Sequence, residues 1–258
     1  MSEKLNPVVS GPFFQHAGRC PACGAETTFV AEGPYFRNTL KCIKCESIPR
    51  HRALMHVLSQ YFPTWHSLTV HESSPGWDIV SQRLARECRD YTASQYDPNI
   101  PSGELVEAPR MPCKWYQCEN LEAQTFQDQS FDLVITQDVF EHVFHPDLAI
   151  REIARTLRPG GATLMTVPIV RKSKPSRRRA ALVAGKVVNL IEPPEFHGNP
   201  ISGEGALVTI DWGFDVVGYL QHHSGLSFIM IQIDNIDLGI RADLIEVLVG
   251  FKAPIPSL

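Results

Sequence analysis

Four of the seven cysteines, Cys20, Cys23, Cys42 and Cys45, stand in the pattern C-x2-C-x18-C-x2-C. That spacing is the one expected of a four-thiolate zinc site: each short pair turns tightly enough to aim two sulfurs at one ion, and Zn²⁺ takes four ligands tetrahedrally. In a reducing compartment such pairs are metal ligands rather than disulfides, with a redox role as the other reading. Four cysteine ligands leave no open coordination position, so such a metal folds the segment and does not catalyse. Arg19, Lys41 and Lys44 flank the ligands and offset the thiolate charge. Cys88, Cys113 and Cys118 share no such spacing and read as buried or incidental thiols.

A second group able to do chemistry is Asp138, Glu141 and His142 in DVFEH. Two carboxylates and an imidazole suit a hard or borderline cation, and a histidine is also the side chain best matched to proton transfer near neutral pH. The alternative for His142 is to fix its loop by hydrogen bonding. His197, in PPEFHGNP, is a second base candidate, with Glu195 and Phe196 beside it at the tip of a substrate lid. Upstream, IVRKSKPSRRRA (169–180) holds six basic residues and no acid. It reads either as a grip for an anionic acceptor or RNA, or as a solvated loop. Arg50, His51 and Arg52 pose the same choice, a cationic edge at the substrate entrance or a solvated helix end.

The elements that must position these residues follow from periodicity. SIPRHRALMHVLSQYFP places Leu54, Val57, Leu58 and Tyr61 on one helical face, with Pro49 in the first turn and Pro63 at the end. ETTFVAEGPYFRNTLKC reads as a β-hairpin turning at Gly33-Pro34. From residue 66 onward strands are predicted at 67–72, 91–96, 114–118, 131–136 and 162–169. Helices are predicted at 78–87 and from Pro146 to a stop at Pro159-Gly160-Gly161. A helix, a strand at 228–234 and a last strand at 244–252 close the chain, and 170–206 is the least regular stretch. Alternation of this kind predicts an α/β fold with a parallel sheet and ligand chemistry at the carboxyl ends of its strands. The organisation expected is a zinc ribbon plus linking helix over 1–63, a main domain over 64–258, and a lid-like segment over 170–206.

Composition narrows the class. The 258 residues are 43% hydrophobic and 20% charged with a formal net charge of −4, which excludes collagen-like, mucin-like and wholly disordered chains. The acidic balance supplies no general affinity for nucleic acid. No apolar run approaches the roughly 18 residues needed to cross a bilayer, and the first twenty residues lack the apolar core of a signal peptide, so a cytoplasmic protein without a membrane span is expected. The G-x-G-x-x-G of dinucleotide folds is absent.

The stretch SFDLVITQDVFEHVFHPDLAIREIARTLRPGGATLMTVP resembles the class I S-adenosylmethionine-dependent methyltransferases, especially the group to which the ubiquinone-biosynthesis methyltransferases belong. The likeness runs over roughly 66–258 and implies a Rossmann-like sheet, mostly parallel with its last strand antiparallel, preceded here by the ribbon. It implies that VHESSPGWD stands at the family's E-x-G-x-G-x-G loop, with Glu72 at the acid, Ser74 at the first glycine, Gly76 at the second and Asp78 at the third. It further implies Gln95 at the ribose-binding position with Asp97 as the charged alternative, and Asn120 and Leu121 against the adenine. Asn120 and Glu119 also suit loop capping. Asp138-x-x-Glu141-His142 resembles the E-x-x-E-H run of metal-using relatives, with Asp in the first place. The expected activity is methyl transfer from S-adenosyl-L-methionine to a small-molecule, glycan or lipid-precursor acceptor, with Zn²⁺ structural and Glu141, His142 and His197 as catalytic candidates. An RNA methyltransferase and a non-catalytic partner-binding protein are the alternatives.

Overall fold

A computed structural model describes residues 11–108, 111–198 and 205–255. The chain opens with β1 (Phe14–Arg19) and β2 (Glu26–Ala31), paired antiparallel across the first cysteine turn. A short helix α1 (Phe36–Thr39) and β3 (Lys41–Cys42) follow. The hairpin expected around Gly33-Pro34 is therefore reduced: β2 and β3 share only the pairs Phe29↔Cys42 and Val30↔Lys41, and the full-length partner of β2 is β1. Next come α2 (Pro49–Tyr61), β4 (Thr69–Ser73), α3 (Ile79–Glu87), β5 (Asp90–Gln95), β6 (Leu105–Glu107) and β7 (Trp115–Cys118). Then follow β8 (Phe131–Gln137), α4 (Pro146–Thr156) and β9 (Leu157–Thr166).

The helix stop lies three residues earlier than Pro159. α4 ends at Thr156, and Pro159-Gly160-Gly161 belongs to β9, where the register against β8 shifts between Phe131 and Leu133. The segment expected to be irregular is built of short pieces: β10 (Arg177–Arg178), the hairpin β11 (Ala180–Val183) and β12 (Lys186–Asn189), β13 (Phe196–His197), β14 (Ala206–Leu207) and β15 (Ile210–Asp211). β10 pairs with β15 and β13 with β14, so the insert closes on itself. Asn199 and Pro200, at the end of the expected lid tip, lie outside the described residues. α5 (Val216–Ser224), β16 (Ser227–Ile231) and β17 (Val247–Phe251) complete the chain.

Eight strands form one sheet in the order β16-β17-β9-β8-β4-β5-β7-β6. The five from β9 to β7 run parallel, while β17 is antiparallel to both neighbours and β6 is an antiparallel edge not anticipated from sequence. β8 and β9 are buried on both faces, as parallel strands covered by helices must be. On one face α2 and α3 bury Leu54, Leu58, Val80 and Leu84 against Leu133, Ile135 and Leu164. On the other, α4 and α5 bury Ile150, Ile153 and Leu220 against Val134, Met165 and Leu248. The first of these cores also contains Cys20, Phe29, Leu40 and Cys42, so the cysteine unit shares one apolar interior with the sheet. Arg52 lies fully buried inside it and donates to the carbonyls of Leu40, Ser47 and Gly239. Gly239 has φ +64°, and a Cβ there would stand 2.6 Å from the Phe29 ring, so the contact requires glycine. Among the described residues no helix is long and apolar enough to cross a membrane.

Candidate active site

β4 and β8 lie side by side in the sheet while their chain connections depart in opposite directions, the place where an open α/β sheet leaves a crevice beyond its carboxyl ends. A cavity of about 1140 Å³ occupies that position. Ser74 and Gly76 after β4, Gln95 at the end of β5, Asn120 and Leu121 after β7, and Asp138 and His142 after β8 line it. The N-terminal unit adds Tyr35, Arg37, Asn38 and Arg50, and the insert adds Leu182, Glu195 and His197.

The loop after β4 follows from its residues. Ser74 has φ +57°, a conformation that favours glycine. A Cβ on Gly76 would stand 2.9 Å from Asp78 Oδ2, so glycine keeps this turn close. Asp78 caps α3, its Oδ1 accepting from the amides of Val80 (2.8 Å) and Ser81 (3.3 Å). A carboxylate at that helix end repels a phosphate, in accord with the missing dinucleotide motif.

Three of the expected site residues do not line the cavity. Glu72 does not line the cavity: it is fully buried, and its oxygens accept from Ser81 and Tyr91 (both 2.7 Å) and from Gln137 (3.0 Å). Burial, with Asp78 nearby, pushes its carboxyl up to about 7, against those hydrogen bonds. Asp97 turns onto its own loop and accepts from the amide and side chain of Asn99, whereas Gln95 lies on the cavity wall and donates to Pro75 O at 3.0 Å. Glu141 sits behind the wall, 1% exposed. Asn120 lines the cavity and also caps its turn, accepting from Glu122 N at 2.9 Å. Glu119 accepts from Gln117 and Thr125.

Asp138 is held from the N-terminal unit. Its Oδ2 accepts from Arg37 Nη2 and Arg50 Nη1, each at 2.7 Å, and its Oδ1 from Thr166 Oγ1 at 2.8 Å. Burial alone raises a carboxyl, but the two guanidinium groups and Thr166 prevail and hold Asp138 below its ordinary value. With both oxygens so engaged, the run Asp138-x-x-Glu141-His142 does not fit a three-ligand divalent site. What converges instead is Glu141, His142 and His197, whose donor atoms lie within 4.8 Å of one another. Glu141 Oε1 is 3.7 Å from both His142 Nε2 and His197 Nδ1. Burial raises the Glu141 carboxyl, and the Glu141 carboxylate in turn raises His197 despite partial burial.

The remaining cationic groups are mostly spoken for. Of Arg50-His51-Arg52 only Arg50 reaches the cavity; His51 is buried and Arg52 is a core residue. In the basic run Lys172 pairs with Glu246 (3.0 Å) and Arg177 with Asp211 (2.7 Å). Arg178 donates to Phe144 O, and Arg179 lies 3.4 Å from Glu195. This run is not an open anion grip. Its sequence shows the charges and not the acids that meet them.

Cys20, Cys23, Cys42 and Cys45 bring their sulfurs within 4.8 Å of one another. Cys20 Sγ and Cys45 Sγ are 3.7 Å apart, close to the ~3.8 Å edge of a tetrahedron with metal–sulfur bonds near 2.3 Å. Ser47 Oγ lies 3.3 Å from Cys20 and 3.2 Å from Cys45, and Thr27 Oγ1 lies 3.3 Å from Cys42. The donor set fits Zn²⁺.

Residues 72–165, over a third of the chain, match the family model for a methyltransferase domain. The chain is similar to the ubiquinone biosynthesis O-methyltransferase of Parvibaculum lavamentivorans, 29% identical over 87 residues, which is 33% of this chain and 34% of that protein. The match thus spans about a third of that curated relative. An S-adenosylmethionine-dependent methyltransferase from Mesorhizobium loti superposes with a TM-score of 0.50 and 15% identity over 78% of this chain and 98% of its own. The 1,6-didemethyltoxoflavin-N1-methyltransferase of Burkholderia thailandensis, solved with S-adenosylhomocysteine, gives 0.49 and 11% over 80% and 78%. Strand order, crevice and matched segment agree: the chain has an α/β Rossmann-like methyltransferase fold, in which residues 72–165 match a methyltransferase domain.

Proposed function

We propose that the protein transfers a methyl group from S-adenosyl-L-methionine to a small-molecule, glycan or lipid-precursor acceptor. The observation that carries this reading is one continuous cavity with Gln95, Asn120 and Leu121 at the sheet's carboxyl edge, His142 in the loop after β8 and His197 on the insert. Its volume of about 1140 Å³ admits a cofactor and a small acceptor side by side. Gln95 pairs with the ribose hydroxyls, Leu121 packs on the adenine, and the Ser74–Gly76 turn lets the backbone approach the methionyl portion.

The cofactor supplies a methyl carbon already activated by its sulfonium. The protein's task is alignment, which accounts for about 7–11 kcal/mol of barrier in such reactions. Tyr35, Asn38 and Leu182 wall the acceptor half, and His142 and His197 present imidazoles to it. The exposed apolar side chain of Val170 and the partly exposed Leu182, both on the cavity wall, support an acceptor with an apolar portion. A structural Zn²⁺ on Cys20, Cys23, Cys42 and Cys45 would hold the loop that carries Tyr35, Arg37 and Asn38 against the cavity. An RNA acceptor gains little support, because the basic run is met by Asp211, Glu246 and Glu195.

Calorimetric titration of zinc-loaded protein with S-adenosylmethionine and S-adenosylhomocysteine tests the reading. Micromolar binding of both is expected; no binding to well-folded protein would favour a non-catalytic partner-binding role.

A further inference from the structure

Glu141 is 1% exposed, and among the described residues neither carboxylate oxygen has a hydrogen-bond partner. A buried carboxylate left in that state costs several kcal/mol in a folded protein unless something charged meets it. Two imidazoles face it at 3.7 Å, too far for a direct hydrogen bond. His142 Nδ1 lies 2.9 Å from Leu207 O. A carbonyl only accepts, so the His142 proton is on Nδ1, and Nε2 turns its lone pair toward Glu141. His197 presents Nδ1 to Glu141 and Nε2 to Glu195 Oε1 at 3.5 Å. A lone pair aimed at a buried carboxylate calls for a cation between them.

We infer that Glu141, His142 and His197 bind a divalent transition-metal ion at the wall of the cavity. Two imidazoles and one carboxylate are a donor set for borderline ions such as Mn²⁺, Fe²⁺, Co²⁺ or Zn²⁺. The outer contacts are those such ligands use: Leu207 O fixes the His142 tautomer and Glu195 backs His197. The loop is held in advance by Thr209, whose amide donates to Glu141 O at 2.7 Å and whose hydroxyl donates to Val143 O at 2.6 Å. Asp138 is no ligand, since Arg37, Arg50 and Thr166 occupy its oxygens. His142 comes from the loop after β8 and His197 from β13, so the ion ties the insert to the sheet edge. Because both imidazoles line the cavity, the ion's open positions face the space left for the acceptor.

Zinc-loaded full-length protein is titrated with Mn²⁺, which a carboxylate–imidazole site accepts while the thiolates keep the softer ion. One Mn²⁺ per chain is expected, with coupling to two imidazole nitrogens in its electron paramagnetic resonance. His197→Asn and Glu141→Gln each weaken binding about tenfold or more, while Asp138→Asn leaves it unchanged. His197 is 38% exposed in its side chain, so His197→Asn keeps the fold even if Glu141→Gln does not. Absence of saturable Mn²⁺ binding at millimolar concentration overturns the inference. So does binding kept in His197→Asn and lost in Asp138→Asn. Titration with S-adenosylhomocysteine is a separate readout, so failure of the methyltransferase reading is told apart from failure of the metal site.

Discussion

Arg50 donates to Asp138 at 2.7 Å although 88 residues separate them in the chain, and Arg37 meets the same oxygen from a separation of 101. Both arginines belong to the N-terminal unit, and Asp138 directly follows β8, the strand beside which the cavity opens. Asp138 itself has φ +50°, a strained conformation held by its hydrogen bonds to Thr166 and the arginines. The cysteine unit is thereby coupled to the site by charge as well as by packing.

Asp138→Asn leaves two poorly exposed guanidinium groups without their counter-charge. A loss of about 2–3 kcal/mol is expected, read by urea denaturation, with a fall in Tm of about 5–10 °C. Combined with Arg37→Gln the effects are less than additive, because the two residues share one interaction. Asp138 is held below its ordinary value, so its stabilisation is full above about pH 4 and is lost as pH falls through the depressed value.

Removing metal from the cysteine cluster is expected to weaken S-adenosylhomocysteine binding as well as lower stability. Tyr35, Arg37 and Asn38 lie between the two cysteine pairs and line the cavity. Chelation under mild denaturant followed by calorimetry checks this; unchanged affinity in metal-free protein would show that the wall forms without the ion.

Glu72→Gln carries a pH signature. The native carboxyl titrates near 7 against an ordinary 4.5, so its protonated form stabilises the fold below about pH 4.5 and that contribution disappears as pH rises through about 7. The amide does not titrate. The variant therefore gains on the wild type by up to about 3 kcal/mol between about pH 5 and pH 8, measured by denaturant titration at each pH. A pH-independent difference would sink the assignment.

Gln95→Ala is expected to weaken S-adenosylhomocysteine binding about five- to tenfold, the worth of about one hydrogen bond. Asp97→Asn should leave it unchanged, because that side chain serves its own turn. The reverse ranking would return the ribose contact to Asp97.

Much of the architecture is legible in local pattern. The cysteine pairs declare themselves by spacing, and the apolar runs of β4, β8 and β9 with the amphipathic stretches of α3 and α4 mark the α/β alternation, since period-2 and period-3.6 burial is written within a few residues. β6 and the strands of the insert were missed because they are short and mostly exposed, so no burial period marks them. The helix stop moved for a related reason: Pro159-Gly160-Gly161 breaks a helix wherever it stands, but here it also bulges a strand against β8.

The sequence by itself determined the composition class, the quartet of thiols, the order of the main strands and helices, and which loops would meet at the carboxyl edge. Tertiary structure alone decided which side chain in each loop faces the cavity and what its neighbours are. Glu72 and Gln95 differ in that respect because Tyr91 and Ser81 cover one and leave the other on the wall. Asp138 is neutralised by arginines 88 and 101 residues away, and Glu141 finds His197 of the insert. Charge and desolvation act through space, so partners brought together by strand order and crossovers leave no trace in the spacing of the residues themselves.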